Sequence, residues 1–116
     1  MIVGVQGTSS FNDYQIFLRA MGVALSGIKS DDNYIYIYTA GPKNINDMVM
    51  EFTNLSDRGL KGRGIKIKMF KVAPEWLEEN CADINYFAYL CNPRENQSKL
   101  FKTIQLNNIE YGLFNS

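Results

Sequence analysis

Three short polar segments hold the side chains of this chain best suited to meet a ligand. They are Gly7-Thr8-Ser9-Ser10, Thr39-Ala40-Gly41-Pro42-Lys43-Asn44 and Asn92-Pro93-Arg94-Glu95-Asn96. The hydroxyls of Thr8, Ser9 and Ser10 suit a phosphate near a helix N-terminus, where the dipole favours anions. The same hydroxyls could equally cap that helix. Gly7 either lets a phosphate or ribose approach the backbone or turns the chain tightly from strand to helix. Gly41, beside Pro42, also admits close approach. Lys43 adds a charge at a helix start, where a cation does nothing for helix stability. Asn44 and Asn46 are ligand contacts or plain N-caps. Arg94 can fork onto a carboxylate or phosphate, or stand solvated. Asn92 and Ser98 flank it.

The elements around these segments explain why they should converge. Met1 to Gln6 reads as a short buried strand. A helix follows, capped by Asn12 or Asp13 and stopped near Gly27, with an apolar stripe of Ile16, Phe17, Ala20, Met21, Ala24 and Leu25. Tyr34-Ile35-Tyr36-Ile37-Tyr38 is the clearest strand. Large side chains on both of its faces predict an interior strand covered by helices on two sides, with the three tyrosines facing core. A second helix is expected over about Ile45 to Leu55, with Ile45, Met48, Val49, Phe52 and Leu55 inside. Gly59 to Gly64 then reads as a flexible connector. Its glycines precede a strand, whereas a phosphate loop follows one.

Ile65 to Phe70 alternates apolar and basic residues, the pattern of a half-exposed edge strand. Pro74 opens a short helix to about Asn80, with Trp76 as a lid over the sheet edge. Tyr86 to Cys91 is a fourth strand, Ser98 to Asn108 a helix, and Tyr111 to Phe114 a last strand. The alternation βαβαβαβαβ with right-handed crossovers predicts an α/β, Rossmann-like, three-layer domain spanning residues 1–116. Its five-stranded parallel sheet should run in the order 3-2-1-4-5. In such a sheet the loops at the carboxyl ends of the strands form the ligand crevice.

Composition bounds the chemistry. The chain has 116 residues, 46% of them hydrophobic and 21% charged, enough apolar material for one core. Twelve basic and twelve acidic residues cancel, which argues against general nucleic-acid affinity. Arg58, Lys61, Arg63, Lys66, Lys68 and Lys71 nevertheless form a basic stretch. It is either a solvated face or an edge that binds phosphate or a partner. The absence of histidine excludes Ser-His and Cys-His catalysis and argues against zinc. Cys81 and Cys91 make no disulfide framework, and Cys91 reads as a small core residue. Asp13 and Glu75 lack an acidic partner. No catalytic residue, metal ligand or cofactor is assigned. The N-terminal strand has no signal-peptide pattern and no run reaches ~20 apolar residues, so a cytoplasmic protein without a membrane partner is expected. Abundant Asn, Lys, Ile and Tyr suggest an AT-rich source, such as a phage or low-GC bacterium.

Several blocks resemble a known family. Gly7-Thr8-Ser9-Ser10-Phe11-Asn12-Asp13-Tyr14 is similar to the Gly-Ser-Arg-Asp-Phe-x-Asp-Tyr opening of the YspA-like branch of the SLOG superfamily. Ala40-Gly41-Pro42-Lys43-Asn44-Ile45-Asn46 resembles its Gly-Gly-Ala-Arg-Gly-Ala-Asp block. Phe70 to Trp76 looks like its strand ending in a turn and a tryptophan, and Asp83 to Ser98 like its fourth strand and loop. Ser9 replaces the family's arginine, and Asn44 and Asn46 its glycine and aspartate. The Pro-Gly-Gly-x-Gly-Thr signature of the LOG nucleotide phosphoribohydrolases is absent. The resemblance implies a Rossmann-like protein that senses or sequesters a nucleotide or nucleotide derivative, with a homo-oligomer as a further expectation. Gly7, Thr8, Ser9, Gly41, Pro42, Lys43, Asn44, Asn92, Arg94 and Ser98 would line the site. If the protein is an enzyme, it would hydrolyse a nucleoside phosphate. The alternative is a phage or mobile-element interaction module that keeps the fold, has a degenerate site, and inhibits or recruits a host protein.

Overall fold

The computed structural model describes residues 1–115. Its elements are β1 (Ile2–Gly7), α1 (Tyr14–Leu25), β2 (Tyr34–Thr39), α2 (Lys43–Lys61), β3 (Lys66–Lys71), α3 (Pro74–Glu79), a 3₁₀ turn (Cys81–Asp83), β4 (Tyr86–Cys91), α4 (Lys99–Leu106) and β5 (Tyr111–Asn115). The strands form one sheet in the order β3-β2-β1-β4-β5, every neighbouring pair parallel. The expected architecture is therefore the observed one, and β1 sits at its centre.

The period of two along each strand sorts side chains into two cores. On one face Val3, Val5, Ile35, Ile37, Ala88 and Leu90 pack under α1 and α2, which contribute Phe17, Ala20, Met21, Ala24, Ile45 and Val49. On the other, Phe87, Tyr89 and Cys91 pack with Leu77 of α3 and Leu100, Phe101 and Ile104 of α4. Tyr89 and Phe101 stack with ring centroids 4.3 Å apart. All six residues of β4 are buried, as a strand covered on both faces requires.

Helix starts follow their caps. The Asp13 carboxylate accepts from the Ile16 N–H at 3.1 Å, and the Ser98 hydroxyl accepts from the Phe101 N–H at 3.1 Å. Helix α2 departs from expectation. It begins at Lys43 rather than Ile45 and continues through Gly59 to Lys61. The segment expected as a connector thus supplies the last turn, where Arg58 and Lys61 face the negative end of the helix dipole. Leu55, expected inside, is 69% exposed, and the residues of α2 that reach the core are Ile45, Met48, Val49, Phe52 and Leu60.

The three tyrosines of β2 also depart from expectation. Only Ile35 and Ile37 reach the core under α2; Tyr34 is 45% exposed and Tyr36 and Tyr38 are half-buried. The short α3 reaches this side of the sheet through Trp76, tilted against Tyr38. Trp76 is itself 43% exposed. Large apolar residues on both faces of a strand predict two covered faces, but six residues of α3 are too few to cover this one.

The two faces should respond differently to truncation. Ile37→Ala should cost about 2–5 kcal/mol in urea unfolding. Tyr34→Ala should cost less than about 1.5 kcal/mol, roughly the value of one aromatic pair.

Candidate functional site

Because every strand runs the same way, the loops after β1, β2 and β4 meet at one end of the sheet. They are tied by main-chain bonds. The Gly7 N–H donates to Gly41 O at 3.2 Å, Thr8 N–H to Leu90 O at 2.9 Å, and Ala40 N–H to Val5 O at 2.8 Å. Position 7 permits no side chain. A Cβ there would lie 2.4 Å from Leu90 O and 2.8 Å from Ile45 Cδ1. Gly7 is thus explained by the packing of three strands' ends. Gly41 has φ +83 with open space around its Cα, so its backbone conformation favours glycine.

Side chains add a second layer of ties. The Asn44 amide donates to Thr8 O at 3.2 Å and to Phe11 O at 2.8 Å. The Asn92 N–H donates to Thr8 Oγ1 at 2.9 Å. Ser10 donates to the Glu95 carboxylate, and Ser98 to Gln6 Oε1. Ser98 N–H donates to the Tyr89 hydroxyl at 3.1 Å. Thr39, fully buried, donates to Asn46 Oδ1 at 2.7 Å. Neither asparagine is an N-cap: both lie inside the first turn of α2, Asn44 reaching the loop after β1 and Asn46 the end of β2.

The expected site residues therefore divide. Gly7, Thr8, Asn44, Asn92 and Ser98 hold the loops to one another. Ser9, Lys43 and Arg94 are exposed on the outer surface of the cluster. Lys43 Nζ pairs with Asp47 at 2.8 Å, an exposed pair one turn along the helix. The Arg94 guanidinium has no partner among the described residues, while its N–H donates to Asn92 Oδ1 at 2.9 Å. Gln6, Phe11 and Tyr89 were not expected here, whereas Glu95 lies within the third polar segment. Gln6 carried a signal, a polar residue within an apolar strand.

Three helix N-termini, those of α1, α2 and α4, belong to this end of the sheet. Asp13 and Ser98 cap two of them. Pro42 at the start of α2 supplies no side-chain cap. The N–H groups of Ile45 and Asn46 donate to Pro42 O, at 3.0 Å each. Those of Lys43 and Asn44 have no partner among the described residues. A nineteen-residue helix thus presents free N–H groups, no acid in its first turn, and a lysine. That is the chemistry of an anion site.

Among the described residues at this end, none resembles an activated nucleophile. Burial pushes the Cys91 thiol above its ordinary 9.0, and the neutral thiol donates to Asn115 Oδ1 at 2.8 Å. Among the described residues no three His, Cys, Asp or Glu side chains gather as metal ligands. A cleft of about 350 Å³, lined by Met1, Lys29, Asn85, Tyr86 and Glu110, opens at the opposite, amino-terminal end of the strands. Among the described residues no helix is long and apolar enough to cross a membrane.

Comparison of the chain with protein-family profiles, curated proteins and solved structures finds no match.

Gly7→Ala should destabilise the protein by about 1–3 kcal/mol, because backbone on one side and Ile45 on the other must move. Asn44→Ala should cost a similar amount by leaving Phe11 O without its donor, while Thr8 O keeps the Phe11 N–H. Both are read from urea midpoints. Stability should also fall at alkaline pH. A raised folded-state pKa gives stability that is complete below the unfolded value and lost above it. Cys91 is raised by burial; Tyr14 is raised by burial and Glu51, and Tyr86 by burial and Glu110. The decline should therefore begin near pH 9 and steepen past 10. Tyr14→Phe should flatten it, since the Tyr14 hydroxyl is buried without a partner.

Proposed function

We propose that the protein binds a small phosphate-bearing ligand, nucleotide-like in chemistry, at the N-terminus of α2. The single observation that carries this reading is the pair of unpartnered N–H groups at Lys43 and Asn44. Gly41 keeps the approach open, and Lys43 supplies a charge that an incoming phosphate can take over from Asp47. Ser9 and Arg94 add polar groups on the neighbouring loops. The resemblance to SLOG proteins supports a nucleotide or nucleotide derivative as the ligand. Without a general base, paired carboxylates or an activated thiol, the role is sensing or sequestering rather than turnover.

Isothermal titration against nucleotides, ADP-ribose derivatives and cyclic dinucleotides tests this. Binding should weaken with salt, and Lys43→Ala should reduce affinity about tenfold, the value of one charge-assisted bond. The absence of heat at millimolar ligand, with the protein folded, would sink the reading. Incubation with nucleoside monophosphates should release no free base.

A second reading has its own motive. Thr8, Ser10, Asn44 and Ser98 are engaged by protein partners, so few loop groups remain for a ligand. The fold would then serve a phage or mobile-element protein that inhibits or recruits a host protein. If a host partner survives Gly41→Ala and Lys43→Ala yet is lost on substitution elsewhere on the surface, this second reading replaces the first.

A further inference from the structure

The geometry points to a second binding surface, distinct from the loop cluster: the open face of β2 and β3 takes single-stranded nucleic acid. The register places Tyr34 opposite Lys66, Tyr36 opposite Lys68 and Tyr38 opposite Phe70. Neighbours in register share a sheet face, so these six side chains project from one side. The rings form a continuous run. Tyr34 and Tyr36 have centroids 5.6 Å apart, Tyr36 and Phe70 5.7 Å, Tyr38 and Phe70 5.1 Å, and Tyr38 and Trp76 5.4 Å. Both ends of the run are open, at Tyr34 (45% exposed) and Trp76 (43% exposed).

Lys66 and Lys68 are exposed beside this run, and Lys68 Nζ lies 5.7 Å from the Phe70 ring centre. Tyr34 and Tyr36 on β2 thus stand beside Lys66 and Lys68 on β3, on strands about 5 Å apart. Bases and phosphates run side by side in the same way along an extended single strand. Aromatic platforms flanked by cations bind such strands by stacking, without reading sequence.

A cleft of about 230 Å³ at the Trp76 end, lined by Tyr38, Trp76, Asn80 and Asp83, extends the surface. The Asp83 carboxylate there would repel phosphate and accept from the amino group of a base. Net neutrality of the chain does not oppose this, because stacking carries the interaction and only the β3 edge meets phosphate. A protein partner is the less economical occupant. Flat rings on a twisted sheet offer stacking surfaces but no deep socket for an apolar anchor.

Fluorescence anisotropy with labelled dodecanucleotides, DNA and RNA, and a duplex control decides the matter. At about 50 mM salt the single strands should bind in the micromolar range and the duplex more weakly. Trp76 emission should be quenched on binding. Tyr36→Ala and Trp76→Ala should each weaken binding about 5- to 100-fold. Tyr34→Ala removes an exposed ring at a small folding cost and serves if Tyr36→Ala unfolds. Lys66→Gln with Lys68→Gln should lower the salt slope by about 1.4 while leaving residual binding.

Four results would overturn the proposal. They are no binding at millimolar protein, duplex bound as tightly as single strand, affinity unmoved by the ring variants, and self-association through this face that oligonucleotide does not relieve. Persistence of binding in Lys43→Ala would separate this surface from the α2 site.

Discussion

Everything at the carboxyl end of the sheet depends on the lack of a side chain at position 7. Gly7 closes β1, the central strand, and Leu90 O and the Ile45 side chain occupy the space that a Cβ would need. That approach lets Gly7 N–H bond to Gly41 O and Thr8 N–H to Leu90 O. Three chain segments far apart in sequence are thereby joined by backbone alone. The side-chain ties from Asn44, Thr8 and Ser98 follow from it, because each reaches only a neighbour the backbone has already brought close.

This clasp has a functional consequence. A polar loop cluster at the ends of parallel strands is where ligands are usually met, yet here much of its hydrogen-bonding capacity is spent inwardly. What stays open is the start of α2. Prolines fit helix starts, but Pro42 has no side-chain oxygen to satisfy the first N–H groups. The N–H groups of Lys43 and Asn44 are left free there, and Asp13 and Ser98 differ from Pro42 in adding a side-chain acceptor for the third N–H of α1 and α4.

The sheet is unequal in cover as well as in chemistry. One face lies under two helices of twelve and nineteen residues, while the other has six- and eight-residue helices. The shorter pair shelters β4 and β1 and leaves the outer strands partly bare. Burial therefore falls from the fully enclosed β4 to the edge strands β3 and β5. The same shortfall that costs the protein apolar burial presents an aromatic and basic surface to solvent.

Much of the fold was legible in the residues themselves. Alternation in Ile65–Phe70 marked an edge, the apolar run Tyr86–Cys91 marked β4 as a strand, and Asp13 and Ser98 marked the starts of their helices, because these signals are local. The length of α2 was not legible: Gly59 suggests a break, and only packing of Phe52 and Leu60 against the sheet holds the helix through it. The orientation of Tyr34, Tyr36 and Tyr38 was equally hidden, since an aromatic strand looks the same whether or not a helix lies above it. By itself the sequence determined the order of elements, the parallel sheet and the three loops that meet at one end. Tertiary structure decided which loop groups remain free, since that turns on contacts between residues some eighty positions apart, such as Ser10 with Glu95 and Asn92 with Thr8. No periodicity or spacing within a segment encodes such a contact.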